Sequence, residues 1–210
     1  MGKSMHEQGV VIDQSMLRAG LKDGLAGKNS VVPEAKMKAA MTSFQKEMIE
    51  KAIQKQEADA AINQKASAAY LAKIAQEPGV QKIEPGLYYK VIQQGTGRVP
   101  QANDTVTVNY SGSLPNGTVF DSSYKRGQPA TFQLSQVIPG WTDALQHMPE
   151  GSVWMIYISP KLGYGKYAPP NIGPDQALTF KVDLLKVVPG TQSSSSSSDN
   201  QVNMQHLIVH

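Results

Sequence analysis

Residues 106–123 read VTVNYSGSLPNGTVFDSS, and the fold class follows from this stretch. Apolar and polar residues alternate over 106–110, which is the period-two pattern of a half-buried β-strand. The Asn-Gly pair at 116–117 predicts a hairpin, because both residue types accept the positive φ angles that tight hairpin turns require. The chain then returns as a second strand. We expect that strand to end with Phe120 and Asp121 side by side, an aromatic ring next to a carboxylate.

Short β-strands continue on both sides of this hairpin, separated by turns rich in Gly and Pro. They are predicted at residues 87–93, 131–134, 153–158 and 178–188. One short helix is predicted at 141–146, and a long loop with four Pro and three Gly occupies 160–176. Five or six antiparallel strands with one short helix place this part of the chain in the α+β class.

The sequence before the sheet predicts helices. Asp13 can cap a short helix at 14–25, whose apolar residues share one face. After Pro33 the chain has no Gly or Pro until 78–79 and consists mainly of strong helix formers. We therefore predict one helix of about 40 residues, roughly 60 Å long at 1.5 Å per residue.

The apolar pattern of the long helix changes along its length. Met37, Met41, Phe44 and Met48, here called the seam, follow spacings of four, three and four residues, as in a coiled coil. The seam either packs on the core of its own domain or forms a dimer interface together with the short helix before it. Too little chain surrounds the helix to bury the seam, which favours the dimer. Beyond Lys55 the residues are mainly Ala and polar ones, which predicts a solvated stalk.

Composition excludes several classes of function. The 210 residues contain no Cys, so disulfides, thiolate metal sites and a Cys nucleophile are excluded. The net charge is +3 and the basic residues are scattered, which argues against a nucleic acid partner. We predict no metal site, because none of the four histidines has ligand spacing: His6, His147, His206 and His210.

The ends of the chain carry little functional information. No signal peptide is visible, and no apolar run approaches the roughly 20 residues that cross a bilayer. Residues 189–210 contain six consecutive serines and too little apolar surface to offset the entropy of ordering. We predict that they form a flexible tail.

Four segments carry a resemblance to a known family, and they occur in order with near-family spacing. They are VTVNYSGSLPNGTVFDSS, VIPGWTDALQHMPEGS, ISPKLGYG and LTFKVDLLKV. Residues 84–188 resemble the FK506-binding-protein (FKBP) type of peptidyl-prolyl cis-trans isomerase. With the helical front included, residues 8–188 resemble the bacterial macrophage infectivity potentiator (Mip) branch of that family.

The resemblance implies a fold and a division into domains. The fold is an antiparallel β-sheet wrapped around a short helix, preceded by an all-α dimerisation region with one long helix. The implied parts are an N-terminal helical dimerisation region at 1–32, a long connecting helix at 33–77, the isomerase domain at 84–188 and the tail at 189–210.

The resemblance also implies a pocket between helix and sheet, floored by Trp141. The positions of the matching segments assign eleven residues to this pocket. They are Tyr110, Phe120, Asp121, Arg126, Phe132, Val137, Ile138, Trp141, Tyr164, Ile172 and Phe180. Those expected to act in catalysis are Asp121, Tyr164, Tyr110, Trp141 and Phe180. Ala130 departs from the family pattern, since some relatives carry a further aromatic residue there, and it opens that wall of the pocket.

Prolyl isomerisation needs no nucleophile, metal or cofactor, because no covalent bond is made or broken. The barrier of ~18–20 kcal/mol arises from loss of amide resonance in the twisted state. We expect an apolar pocket to favour the twisted amide. The Tyr164 hydroxyl and the Ile138 N–H would hold the substrate carbonyl, and Asp121, held by Tyr110 or Arg126, would meet the rotating carbonyl.

The function that follows is a homodimeric isomerase that accelerates X–Pro isomerisation during folding and holds its clients. The implied partners are proline-containing unfolded proteins and inhibitors of the tacrolimus and rapamycin type. The family branch works in the periplasm or on the bacterial outer membrane and cell surface, and some members aid host infection. The alternative is a holdase or host-surface binding protein whose isomerase pocket is incidental.

Overall fold

The computed structural model describes residues 14–27 and 33–190. These residues belong to two compact units, with the boundary between Lys55 and Gln56. The predicted cap at Asp13, three of the four histidines and the serine-rich tail from residue 191 onward lie outside the described residues.

The first unit is helical where it is described. Helix α1 spans Gln14–Leu25, as its apolar face predicts. Helix α2 spans Glu34–Ile74, and its 41 residues confirm the single long helix expected from the absence of Gly and Pro. Pro33 precedes it, and its carbonyl accepts hydrogen bonds from the N–H groups of Lys36 and Met37 at 2.9 and 3.1 Å.

The second half of α2, residues 56–74, belongs to the second unit and packs on its sheet. Leu71 and Ile74 are buried in a cluster with Tyr157 and Ala177. The expectation of a solvated stalk is therefore wrong for one face of this half. Part of that face consists of polar side chains, Asn63 and Ser67, that hydrogen-bond to backbone carbonyls, so the face gives no strong apolar pattern in the sequence.

Seven antiparallel strands form one sheet in the second unit, one more than the largest number predicted. They are β1 Val80–Glu84, β2 Leu87–Gln93, β3 Thr105–Ser113, β4 Val119–Ser122, β5 Ala130–Gln133, β6 Val153–Ile158 and β7 Leu178–Val188. The order across the sheet is β1-β2-β6-β7-β3-β4, and β5 pairs with β3. Strand β1 was not predicted, because its sequence VQKIE does not alternate between apolar and polar residues.

Two short helices complete the second unit. Helix α3 spans Ser123–Arg126 and helix α4 spans Pro139–Leu145. Helix α4 buries Trp141 and Leu145 in the core of the sheet. A methyl group on Gly140 would lie 2.5 Å from a side-chain carbon of Ile158, so glycine allows the helix to lie this close to β6.

The predicted α+β class is confirmed, and strand β3 shows its physical basis. Every second residue of β3, including Val106 and Val108, is buried in the core, while the residues between them are partly exposed. None of the helices in the described residues is both long and apolar enough to cross a membrane.

Candidate active site

A pocket of about 260 Å³ lies beside α4 and is bounded by side chains of the sheet and of two loops. It is lined by Tyr110, Phe120, Asp121, Phe132, Gln136, Val137, Ile138, Trp141, Tyr164 and Phe180. The lining is largely aromatic and aliphatic, with a carboxylate and two phenol groups. Such a site can enclose an apolar ring and offer hydrogen bonds to a polar group attached to it.

Aromatic rings form the floor and one wall of the pocket, with Trp141 at the centre. Its ring meets those of Tyr110, Phe132 and Phe180 edge to face, with centroids 5.3, 5.5 and 5.3 Å apart. Phe120 packs edge to face on Phe180 at 5.7 Å. Contacts of this kind are worth about 0.5–1.5 kcal/mol each beyond the buried area, so the rings hold one another in place.

Gly112 makes this ring packing possible from the strand beneath. A Cβ atom at this position would lie 2.6 Å from the Phe120 ring and 2.7 Å from the Phe180 ring. Both distances are far below van der Waals contact, so any side chain here would push the two rings apart. The glycine in the YSGS segment of β3 is therefore a requirement of the pocket wall.

A β-bulge brings Phe120 and Asp121 into the same pocket. Asp121 pairs with Gly112 and Val119 pairs with Ser113, so Phe120 is an extra residue in strand β4. In a regular strand two successive side chains would point to opposite faces, whereas a bulge turns them to a common side. This is the physical basis of the aromatic ring beside a carboxylate that the sequence predicts.

Asp121 is held by two neighbours. The Tyr110 hydroxyl donates to one carboxylate oxygen and the Arg126 guanidinium donates to the other. Arg126 also donates to the Tyr110 oxygen at 3.0 Å, and its guanidinium carbon lies 5.5 Å from the centre of the Tyr110 ring. The three side chains thus form a closed triangle of hydrogen bonds, which fixes the direction of the carboxylate.

The triangle also sets the protonation states. Burial acts to raise the pKa of Asp121, but the hydrogen bonds from Tyr110 and Arg126 outweigh it, so the pKa lies below its usual range. Burial and the hydrogen bond to Asp121 raise the pKa of the Tyr110 phenol. At neutral pH Asp121 is therefore ionised and Tyr110 is protonated.

Tyr164 lies in the loop between β6 and β7, residues 159–177, here called the β6–β7 loop. It stands between the 3-10 turns Pro160–Leu162 and Gly165–Tyr167. Burial, and then the negative charge of Asp121, raise the pKa of its phenol. The hydroxyl therefore keeps its proton at neutral pH and can donate a hydrogen bond into the pocket.

Ile138 supplies a main-chain donor at the edge of the pocket. It precedes α4 with an extended backbone, φ −61° and ψ 145°, as expected for a residue followed by proline. Its N–H has no hydrogen-bond partner among the described residues. A ligand carbonyl can satisfy this donor.

Nine of the eleven predicted binding residues line this pocket, and the other two lie nearby in different surroundings. Arg126 lines an adjoining cavity of about 230 Å³ and contacts the pocket through Asp121. Ile172 is buried in the hydrophobic core. Gln136 lines the pocket but was not predicted, because a polar residue in the short turn before Val137 carries no pattern that marks it.

The predicted seam residues lie in the first unit, on α2. Met37, Met41 and Phe44 are exposed, and Met48 is half-buried. Leu17 and Leu21 of helix α1 are exposed as well. No cluster of His, Asp and Glu in the described ranges 14–27 and 33–190 is placed to hold a metal ion.

Comparisons with known proteins identify the family. The model of the FKBP-type peptidyl-prolyl cis-trans isomerase matches residues 96–185, and that of the domain amino terminal to it matches residues 1–91. The peptidyl-prolyl cis-trans isomerase Mip of Coxiella burnetii is 46% identical over 89% of this chain and 81% of its own length.

Two further relatives agree with this assignment. The outer membrane protein MIP of Legionella longbeachae is 43% identical over 89% of this chain and 81% of its own length. The crystal structure of FkpA from Escherichia coli superimposes with a TM-score of 0.75 and 39% identity, covering 90% of this chain and 88% of that one. This chain therefore belongs to the family of FKBP-type peptidyl-prolyl cis-trans isomerases, as its four sequence segments indicate.

Proposed function

We propose that the pocket above Trp141 is the active site of this prolyl isomerase and that Tyr164, Ile138 and Asp121 act on the substrate amide. The observation that carries this proposal is their convergence on one pocket of about 260 Å³ with an aromatic floor. An aromatic cage of this size fits a proline ring. The donors and the carboxylate stand at its edge, where the peptide bond before that proline would lie.

Catalysis here requires tighter binding of the twisted amide than of the planar one. The planar amide is stabilised by charge separation between nitrogen and oxygen, and an apolar pocket that excludes water weakens that stabilisation. The rings of Trp141, Phe120 and Phe180 supply such surroundings. An acceleration of 10⁴-fold corresponds to only ~5.5 kcal/mol, which a few contacts of this kind can provide.

The polar groups then hold the two sides of the rotating bond. We assign the Tyr164 hydroxyl and the Ile138 N–H to the substrate carbonyls that stay fixed. Asp121 faces the carbonyl that rotates, and the triangle with Tyr110 and Arg126 keeps the carboxylate ionised and in one direction. Arg126 thus acts through Asp121, whereas Tyr164 acts directly.

Refolding of a substrate limited by proline isomerisation tests these roles. We expect Tyr164→Phe to lower kcat/KM roughly tenfold, since one hydrogen bond to a polarised group is worth about 1–2 kcal/mol. Asp121→Ala should lower it by a similar factor, because it removes the negative charge that faces the rotating carbonyl group and leaves Tyr110 and Arg126 without their acceptor. Tyr167→Phe is the matched control, because Tyr167 lies in the same loop and is 93% exposed. Rapamycin should abolish the acceleration. Wild-type activity in both pocket variants would contradict the proposed roles.

We further propose that the protein is a homodimer joined through the seam and α1. Support comes from the exposure of the apolar side chains Met37, Met41 and Phe44 on one helix face. In a dimer two pockets would be available to one unfolded client, which raises the effective affinity without new contacts if the client spans both.

Client holding is a second function, favoured by exposed apolar side chains of α2 that lie outside the seam, such as Ile49 and Ile53, because exposed apolar surface can bind the apolar segments of an unfolded chain. Suppression of client aggregation should persist when rapamycin fills the pocket. Loss of holding on addition of rapamycin would instead assign it to the isomerase pocket.

We propose that the protein works in the bacterial envelope. The support is the name of one relative, the outer membrane protein MIP of Legionella longbeachae, which is similar over most of this chain. Fractionation of the native cells into cytoplasm, periplasm and outer membrane tests this placement, and recovery in the cytoplasm alone would contradict it.

A further inference from the structure

Three side chains of the second half of α2 bind the backbone of the β6–β7 loop. Gln56 donates to the Lys166 carbonyl at 3.1 Å, and Asn63 donates to the Pro174 carbonyl at 2.8 Å. Ser67 is the third and the most buried. Positions 56, 63 and 67 are seven and four residues apart, so the three side chains share one face of the helix.

Ser67 is 1% exposed and uses its hydroxyl twice. Its oxygen accepts a hydrogen bond from the Ala177 N–H at 2.7 Å, and its proton is donated to the Asp175 carbonyl at 3.1 Å. A serine inside a helix commonly bonds a carbonyl of its own helix four residues earlier. Here the hydroxyl connects the helix to the end of the β6–β7 loop instead.

The connection continues from Asp175 to the residue beside Tyr164. Asp175 has φ +51°, the only positive φ of a non-glycine residue in the described ranges. Its N–H donates to the Gly165 carbonyl at 2.9 Å. Gly165 follows Tyr164 directly and itself has φ +55°. Two successive hydrogen bonds therefore link Ser67 to the backbone next to the phenol that faces the pocket.

An unfavourable backbone conformation persists only where its surroundings hold it. Asp175 is held on both sides, by Ser67 at its carbonyl and by Gly165 at its N–H. Without the Ser67 hydroxyl, the loop loses the bond that ties Asp175 to the helix, and the backbone at Gly165 is free to relax. The Tyr164 hydroxyl would then lie less often where the substrate carbonyl requires it.

We propose that Ser67 is a positioning residue for prolyl isomerisation, acting through Asp175 and Gly165 to place the Tyr164 hydroxyl at the pocket. The proposal rests on the role given to Tyr164 under the proposed function. It makes the second half of the long helix part of the catalytic apparatus, although no described residue of that helix lines the pocket. Small misplacements of a catalytic donor lower the rate because the transition state needs it in one position.

The main test is a double-mutant cycle in the full-length protein, with a peptide that contains one X–Pro bond as substrate. We expect Ser67→Ala to lower kcat roughly threefold to tenfold with little change in KM. In the Tyr164→Phe background the same substitution should have no further effect, because the hydroxyl it positions is absent. Tyr70→Phe is the matched control: Tyr70 bonds Thr179 at 2.7 Å from the same helix but forms no hydrogen bond to the backbone of the loop in the part of the chain that is described.

A spectroscopic measurement separates positioning from a loss of stability. With labelled tyrosine rings, Ser67→Ala should shift the NMR signals of the Tyr164 ring and leave those of Tyr110 unchanged. Asn63→Ala provides a second variant, since its bond to Pro174 lies one residue from Asp175 and its side chain is less buried. Asn63→Ala should lower kcat by a smaller factor than Ser67→Ala does, and again only when Tyr164 is present.

Each outcome has one meaning. Full activity of Ser67→Ala, or an equal loss from Ser67→Ala in the wild-type and Tyr164→Phe backgrounds, would overturn the positioning role while leaving the role of Tyr164 intact. If Tyr164→Phe alone keeps full activity, the proposed function loses its donor and the positioning role falls with it. The effect of Tyr164→Phe therefore distinguishes the two failures.

Discussion

The two halves of helix α2 differ in a way that their sequences do not suggest. The first half carries the seam, the strongest apolar pattern in the helical region, yet Met41 is 62% exposed and Phe44 is exposed as well. The second half is dominated by Ala and polar residues, yet Ser67 and Ile74 are buried. An apolar stripe thus marks a face that needs a partner, and it does not show that the same chain provides one.

The physical reason lies in how the second half is attached. Its last turns pack Leu71 and Ile74 on the sheet, and the turns before them are fixed by hydrogen bonds to loop backbone. Ala60 is buried on this face, and Asn63 and Ser67 bond carbonyls of the β6–β7 loop. Apolar periodicity does not reveal such a face, because its middle positions, Asn63 and Ser67, are polar and make hydrogen bonds instead of apolar contacts.

The largest effect is expected in the first half. Changing Met41 and Phe44 together to Lys should convert the proposed dimer to a monomer, because each subunit would bury two positive charges in the interface, opposite those of its partner. Analytical ultracentrifugation measures the mass directly. Ile62→Lys is the matched control, since Ile62 lies on the same helix, outside the seam, and is 66% exposed. A dimer mass that persists in the double variant would show that the seam is not part of the interface.

A smaller effect is expected where the second half packs on the sheet. Leu71→Ala should lower the free energy of unfolding by about 2–4 kcal/mol, the range for a buried leucine that leaves a cavity. Urea unfolding of the Met41→Lys, Phe44→Lys variant with and without Leu71→Ala measures this free energy without a contribution from subunit dissociation. Ile62→Ala should change the value by no more than about 0.5 kcal/mol. Equal values for the two variants would mean that the second half is a stalk after all.

The sheet could be predicted from the sequence because its signals are local. Alternation in β3 and the Asn-Gly pair at 116–117 identify a hairpin, and the hairpin is confirmed, although only Gly117 of the pair has the positive φ that was expected of both. The turn itself is closed by a hydrogen bond from the Gly117 N–H to the Leu114 carbonyl at 2.9 Å, with Gly117 at φ +85°. Strand β1 escaped prediction because it depends on pairing with β2 rather than on its own pattern.

The pocket residues came from the resemblance, and their geometry could not have been predicted from the residues alone. We expect from the sequence that either Tyr110 or Arg126 holds Asp121, and the structure shows both doing so at once. That triangle depends on the bulge at Phe120, which one extra residue in β4 creates and which no residue type announces. The role of Ser67 is still harder to predict from the sequence, because its contacts lie about 110 residues away along the chain.

The smallest effect concerns Tyr157, which the second half of α2 covers in the cluster with Leu71 and Ile74. Burial, and then the charges of Glu77 and Tyr70, raise the pKa of its phenol. In the unfolded chain a tyrosine ionises near pH 10. Between that pH and the higher pKa of the folded protein, only the unfolded state releases the proton. The stability that depends on a protonated Tyr157 is therefore fully present below pH 10 and declines as the pH rises.

Tyr157→Phe removes the group that ionises and should therefore make the loss of stability above pH 10 less steep, without abolishing it, since burial also raises the pKa of Tyr110 and Tyr164. Urea midpoints measured between pH 9 and pH 11 give the slope. Tyr167→Phe is the matched control, since it removes a phenol that is 93% exposed in the folded protein. An unaltered slope in Tyr157→Phe would mean that the helix does not shield this phenol, and the contrast between the two halves of α2 would then rest on Ser67 and its bonds to the β6–β7 loop.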